Sequence, residues 1–442
     1  MSLEDHPTVR RARAAAKPPI DVQPLSAEWL KALALKHGAD DAGLVEVGRA
    51  ELADQLSYIR QVYPQTRALL SFVVRMNREP VRSQVRSVAN QEFHAVYDEV
   101  NEAARAIVRA LDEAGVPACN AVAAFPMEVQ LPGRGWMVAH KPVAVAAGLG
   151  RIGVHRSVIH PKFGSFVLLG TVLIGAEADA YDQPIDYNPC LGCKLCVAAC
   201  PVGALKPDGG FDFVTCYTHN YREFLGNFSD FVGAVVESKD MKTYRERFSD
   251  GETTSMWQSL SFKPGYKAAY CIAVCPAGED VINPFLEDRP GYMERVLKPL
   301  TDKRETLYVL PGSDAEKYAA DRFPHKTVKR VGRTLRTNSI NSFLAQIPLA
   351  FQRGRAKGLT AVYHWTFTGQ EEAKATIRIE NQKIVVQAGH RGEAQVKVTA
   401  DAKTWIDIMN REYGLLTAIV LRKVRVKGEM ALFRAFGRCF AG

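Results

Sequence analysis

Seven of the nine cysteines fall between positions 190 and 275, and nothing else in the 442-residue chain constrains its fold as tightly. Residues 190–201 read CLGCKLCVAACP, a C-x2-C-x2-C-x3-C-P run. Residues 268–276, AAYCIAVCP, repeat its second half. In such a run the first three thiolates wrap a cubane iron–sulfur cluster. The fourth sits on the helix that follows and ligates the neighbouring cluster. A zinc site would use two C-x2-C pairs on separate knuckles and would leave the two Cys-Pro endings unexplained.

The spacing therefore predicts two iron–sulfur clusters. Cys190, Cys193 and Cys196 share the first, a 4Fe-4S cluster, with Cys275. Cys200 joins the second with Cys271 and Cys216, where Cys216, in DFVTCYTHN, is either a ligand or a buried bystander. A complete second run needs a cysteine at position 268, which holds Ala268. The second cluster is then 3Fe-4S, or 4Fe-4S with one open or non-cysteine ligand. His219, Tyr270 and Asp280 are the nearby candidates, and Cys119 and Cys439 the distant thiols.

Thiols clustered at ligand spacing, with no secretion signal in the sequence given, point to a reducing, cytoplasmic setting. No apolar run reaches the ~18–20 residues of a membrane helix. The longest, FVLLGTVLIGA, reads as a buried strand. The net charge of +9 is ordinary solubilising charge on the simplest reading; it also permits an acidic partner, whether nucleic acid, an anionic membrane surface or an acidic redox protein such as an electron donor of ferredoxin or flavodoxin type. No basic run is dense enough for a DNA groove.

Around these cysteines the chain divides into segments of different character. Residues 1–25 form a basic arm expected to be disordered. SAEWLKALALKHG reads as a helix capped by Ser26, with Trp29, Leu30 and Leu33 on one face and Gly38 as its stop. ALLSFVVRM is a buried strand, EFHAVYDEVNEAARAIVRALDEAG a long amphipathic helix ending at Gly115, and ACNAVAAF a strand. The alternation is an α/β pattern. Residues 291–338 are charged and look like a linker with short helices. From Ser339 the pattern changes: LTAVYHWTFTG, ATIRIENQKIVVQAG and AQVKVTAD alternate apolar and polar residues as antiparallel strands do, with turns at Asn381-Gln382 and Gly389. AKTWIDIMNRE and MALFRAFGRCF read as amphipathic helices, making a separate α+β unit.

Residues 133–176 are rich in glycine, valine and cations. GLGRIG there follows a helical-looking stretch rather than a strand, so it is a weak dinucleotide fingerprint and a better sign of close backbone packing around a cofactor or loop. Arg134, His140 and Lys141 are the candidate catalytic residues. Gly148, Gly150, Gly153, His155, His160, Gly164 and Ser165 are the candidate cofactor-binding set, with Arg156 beside them. Any one of the histidines would serve equally as a hydrogen-bonded loop residue.

AAGLGRIGVHRSVIHPKFGSFVLLGTVLI, CLGCKLCVAACPVGAL, Cys216 and CIAVCP together resemble the epoxyqueuosine reductase family and, more distantly, the reductive dehalogenases, over residues 26–290. The resemblance implies a cobalamin-binding domain of nitroreductase-like α/β fold over residues 26–180. A double-cluster ferredoxin-like module over 181–290 would feed it electrons. It also implies that Cys216 is a cluster ligand. Two positions depart from the family: Ala268 stands where a cysteine belongs, and RGWMVAHKP carries no acid where the family places a catalytic aspartate. Residues 339–442, through GLTAVYHWTFTG, TADAKTWIDIM and KVRVKGEMALFRAFGRCF, resemble sterol-carrier-protein lipid-binding domains, which implies a pocket for a hydrophobic small molecule or lipid. The expected whole is an α+β multidomain iron–sulfur reductase. It would pass electrons to a cobalamin or directly to an apolar, lipid-like substrate. The alternative is an electron-transfer protein with a lipid-binding module and no catalysis of its own.

Overall fold

The computed structural model describes residues 2–14, 24–128, 136–332 and 336–440. The N-terminal unit is built on a four-stranded sheet in the order Asp41–Glu46, Ala68–Arg75, Val167–Ile174, Ala118–Asn120. Every neighbouring pair is antiparallel, so the helix–strand alternation of the sequence does not produce a parallel sheet. The two central strands pair over eight positions, from Ala68 opposite Ile174 to Arg75 opposite Val167. Both faces of this centre are covered, and the strands accordingly read as continuous apolar runs. The helix Arg86–Glu113 buries a stripe of Phe93, Val96, Val100, Ala103 and Ile107 against the sheet. Gly115, at φ 78°, turns the chain out of the helix in the left-handed region. The Ser26 hydroxyl accepts a hydrogen bond from the Trp29 N–H and starts the helix Ala27–Lys36.

Two segments differ from expectation. Within the arm read as disordered, Pro7–Ala14 is helical. It buries no residue and is tied only by exposed pairs, Arg10 with Asp5 and Arg13 with Glu4. Residues 291–338, read as a linker, are largely folded: the strands Thr306–Val309 and Thr327–Arg330 pair in parallel around the helix Asp314–Arg322. Leu300, Leu307, Val309 and Ala319 belong to the same core as Leu195 and Val202 of the cysteine module.

The charges that made this segment look like a surface are paired inside it. Lys326, with its side chain 1% exposed, donates to Glu305 Oε1 at 2.7 Å and to the Leu300 carbonyl at 3.0 Å. Burial alone would raise the Glu305 carboxyl. The Lys326 charge and hydrogen bonds from Lys326 and Tyr270 outweigh it and hold the group below its ordinary 4.5. Its contribution to stability is therefore fully present above about pH 4.5 and fades as pH falls through the depressed folded value. Lys326→Met leaves this buried carboxylate with Tyr270 and Lys303 alone and is expected to cost about 3 kcal/mol in chemical denaturation at neutral pH. The loss should shrink under acid conditions, where Glu305 is protonated in both proteins.

The cysteine module carries three helices that sequence reading did not single out: Gly226–Glu237, Met241–Arg247 and Asp250–Ser261. Phe231, Tyr244 and Phe248 pack them together, and reciprocal capping boxes at Asp240 and Ser249 start the second and third.

The C-terminal unit is a five-stranded sheet in the order Lys383–Ala388, Ala373–Glu380, Ala361–Thr368, Val396–Asp401, Val424–Gly428. Ala361–Thr368 and Val396–Asp401 pair in parallel, so the sheet is mixed where alternation alone suggested antiparallel strands. Asn381 and Gln382, at φ 50° and 58°, form the two-residue turn of the first hairpin. Trp365 lies wholly buried among Phe343, Phe367, Trp405 and Phe436.

The C-terminal unit docks on the cysteine module. Leu349 and Ala350, on the helix Ile340–Ala350, meet Val214 and Leu310. At the rim Arg353 binds Asp208 at 2.9 Å, and its hydrogen bond holds that carboxyl down at about 2.

Candidate functional site

The two cysteine runs have the same backbone. In the first, Cys193 is followed by Lys194 in the left-handed region (φ 61°, ψ 16°) and then by the helix Leu195–Ala199 that carries Cys196. In the second, Ala268 is followed by Ala269 (φ 57°, ψ 21°) and then by the helix Tyr270–Ala273 that carries Cys271. Position 268 is thus the counterpart of Cys193, with the loop kept and the thiol absent.

The thiols sort into two neighbourhoods that cross the runs. Cys275 interacts electrostatically with Cys193 and Cys190, and packs with Cys190. Cys216, on the helix Phe213–Asn220, interacts with Cys200 and Cys271. Cys196 feels both groups. Burial, reinforced by neighbouring thiols, pushes Cys196 and Cys271 up to about 12 and Cys275 to about 11. Such crowded, buried thiols become thiolates only beside a strong positive charge, which a metal cluster supplies. Among the described residues no three His, Cys, Asp or Glu side chains close on a site for a single metal ion. A cubane spreads its thiolates over separate corners and asks for wider spacing. The Ala204 N–H already donates to Cys200 Sγ at 3.2 Å.

Cys200, Cys216 and Cys271 line one wall of a cavity of ≈ 490 Å³. Lys141, His155 and Ser165 line the same cavity, and Tyr97, Tyr221, Phe224 and Tyr266 form an aromatic flank. Lys141 is solvent-accessible although protein surrounds it, because its accessible surface faces this space. Its ammonium donates to the Arg156 carbonyl at 2.8 Å and interacts electrostatically with Cys271 and Cys216. His155, pushed down to about 4 by burial and Lys141, is neutral. Its Nδ1 accepts from the Ser157 N–H, and its Nε2 has no protein partner. The Ser165 hydroxyl donates to the Ile272 carbonyl at 3.2 Å, so it joins the N-terminal unit to the cysteine module.

Several expected site residues do other work. His140 lines the cavity, but both its nitrogens are taken. Nε2 donates to the Val122 carbonyl at 2.8 Å, which leaves Nδ1 to accept from the Thr171 hydroxyl at 2.8 Å. Burial keeps the ring neutral, and it braces a helix against the sheet instead of donating protons. His160 faces away from the cavity: its Nε2 meets Asp41 at 2.9 Å and its ring stacks on Phe163. None of Gly148, Gly150, Gly153 and Gly164 lines the cavity. They are needed because protein backbone or side chain lies against them. A Cβ at Gly164 would come within 1.9 Å of the Ala277 carbonyl, and one at Gly150 within 2.3 Å of the Ile159 carbonyl. Arg134 lies outside the described residues. The aromatic flank was missed: Tyr221 and Phe224 stand three apart, but Tyr97 and Tyr266 come from distant segments.

A second cavity, of ≈ 500 Å³, opens in the C-terminal unit between Phe343, Ile347, Trp405, Phe433 and Phe436. Val214 reaches it from the helix Phe213–Asn220, whose Phe213, Cys216 and His219 line the first cavity. One short helix therefore walls both spaces.

The buried cysteine sets and the apolar pocket beside them define an iron–sulfur protein joined to a hydrophobic-ligand module. Residues 184–206 match the 4Fe-4S binding domain, and residues 340–441 match the SCP-2 sterol transfer family. An epoxyqueuosine reductase of Gloeobacter violaceus is 31% identical over 169 residues, covering 37% of this chain and 48% of the relative. The chain thus spans about half the length of that curated relative. The solved epoxyqueuosine reductase of Streptococcus thermophilus aligns at 19% identity and a TM-score of 0.31, covering 42% of this chain and 54% of that one. A reductive dehalogenase structure aligns at 15% identity and a TM-score of 0.38, covering 56% and 36%. The chain is a fusion of an epoxyqueuosine-reductase-like iron–sulfur unit with an SCP-2-type domain. No helix among the described residues is long and apolar enough to cross a membrane.

Proposed function

We propose that this protein is an oxidoreductase that carries electrons through two iron–sulfur clusters to an apolar, drug-sized acceptor held in the ≈ 490 Å³ cavity. The observation that supports it is the shared lining: one cavity touches Cys200, Cys216 and Cys271 together with Lys141 and His155. When bound, the clusters supply one-electron transfer. The chain's own residues do the rest. The aromatic flank excludes water and stacks on a flat acceptor. Lys141 offers a proton or a counter-charge within electrostatic reach of Cys271 and Cys216. The SCP-2-type cavity, on the other face of the helix Phe213–Asn220, keeps an apolar molecule close to the redox site. A ferredoxin- or flavodoxin-type protein in a cytoplasmic setting is the matching electron donor.

The reductive dehalogenase neighbour is B12-dependent, and a corrinoid is the alternative occupant of this cavity. A cavity of ≈ 490 Å³ suits a drug-sized ligand, and part of it belongs to the second cluster's own ligands. No step is assigned to a corrinoid.

The test is anaerobic reoxidation of the reduced, reconstituted protein by apolar quinones, nitroarenes and organohalides, followed in the visible spectrum. Filling the cavity with Ala123→Trp is expected to slow the effective acceptor about tenfold or more. Reoxidation that ignores the substitution would reduce the chain to an electron carrier. A bound corrinoid spectrum after saturation with hydroxocobalamin would return the reading to cobalamin chemistry.

A further inference from the structure

The second cysteine set is one thiol short, and each nearby group that might complete it is committed elsewhere. The Tyr270 hydroxyl donates to Glu305 Oε2 at 2.6 Å. Asp280 is exposed and outside the cavity, with its N–H on the Lys162 carbonyl. Cys119 sits on a strand of the N-terminal sheet, and Cys439 is wholly buried in the C-terminal core. His219 is the subtler case. Its Nδ1 accepts from the Tyr308 backbone N–H at 3.3 Å. A backbone N–H can only donate, so Nδ1 carries the lone pair and Nε2 the proton. In that tautomer Nε2 has no lone pair for a metal.

What remains at this corner is a methyl group. Ala268 is held in place by Asn220, whose side-chain oxygen accepts its N–H at 2.9 Å. Ala268 lines the cavity with Cys200, Cys216 and Cys271, and Lys141 lies within electrostatic reach of two of those thiols. His219 also lines the cavity, and its Nε2–H has no protein acceptor.

We propose that the protein ligates the second cluster at three corners only, and that the corner at Ala268 is a binding site for a small anionic ligand, with Lys141 as its counter-charge. This rests on the two-cluster reading above and adds to it the class of group by which a substrate is held: a carboxylate, phenolate or thiolate. The backbone match between Cys193 and Ala268 carries the inference. The fold keeps the ligand loop intact and withholds only the thiol, at a buried position that borders the cavity.

The experiment uses the full reconstituted chain and 13C-cyanide as the anionic probe, read by pulsed EPR. The wild type is expected to show 13C hyperfine coupling on one of two cluster signals. Ala268→Cys should abolish that coupling by filling the corner, with the first cluster's signal retained as a folding control. Lys141→Met should weaken cyanide binding about tenfold without loss of iron. Iron content for two four-iron clusters with no 13C coupling would overturn the proposal, and coupling to 15N-histidine in labelled wild type would assign the corner to His219 instead. A second cluster that stays three-iron after reconstitution with excess iron would also overturn it, because no metal stands at the corner. Failure of the two-cluster reading looks different: iron for a single cluster, before any probe is added.

Discussion

In a Cys275→Ser protein the cluster expected to disappear is the one held by Cys190, Cys193 and Cys196, although Cys275 belongs to the other run. Cys275 lies in the first group's neighbourhood, against Cys190, while Cys200 lies with Cys216 and Cys271. Each run thus lends its last thiol across the module. Cys200→Ser should therefore remove the second cluster and leave the first in place. Each variant should lose about half the iron of the reconstituted protein: Cys275→Ser opens a corner packed against Ile159 and Ala277, and Cys200→Ser leaves the second cluster with two thiolates. EPR of the two variants reads this directly. If Cys275→Ser keeps the first signal and loses the second, the runs are not crossed, and the assignment of Cys200 to the centre of Cys216 and Cys271 falls with it.

Trp365→Ala is expected to cost about 3–5 kcal/mol, enough to unfold the C-terminal unit in mild denaturant. Trp365 is wholly buried and meets Phe343, Phe367, Trp405 and Phe436 at centroid distances of 6.1, 5.8, 4.7 and 5.4 Å. Deleting the indole leaves a cavity that rings on three elements cannot collapse to fill. Three of the rings that would lose their packing, Phe343, Trp405 and Phe436, also line the apolar pocket. Binding of a fluorescent fatty acid should fall with stability, while both cluster signals stay intact. A denaturation midpoint shifted by less than a quarter of that expected would show that the pocket walls do not depend on this core.

The sequence carried the metal site further than the cavity beside it. Cysteine spacing is local chemistry: a loop that wraps a cluster fixes its thiols within a dozen residues, and the crossed neighbourhoods of Cys200 and Cys275 were readable from it. The alternation in Ala361–Thr368 and Ala373–Glu380 was readable for the same reason, since one buried face imposes a period of two. Residues 291–338 were misread because charge looks like surface until its partner is known. Lys326 and Glu305 are 21 positions apart, and nothing local tells that they meet in the interior. His140 looked like a proton donor because its acceptors, the Val122 carbonyl and the Thr171 hydroxyl, come from distant segments. The glycines around Gly148 were misassigned for a different reason. Close approach of protein backbone and close approach of a cofactor place the same demand on a residue, and sequence does not tell which body approaches.

Gly164 is where that demand has the widest effect. Its neighbour is the Ala277 carbonyl, two residues beyond Cys275, and the fit leaves no room for even a methyl group. The wall that bears Ser165 and the loop that bears the thiols are therefore machined to one another, not docked by chance meeting. The arrival of an outside donor, like that of the acceptor, remains a bimolecular event. Diluting the protein should slow its charging by that donor and leave the internal hand-over unchanged.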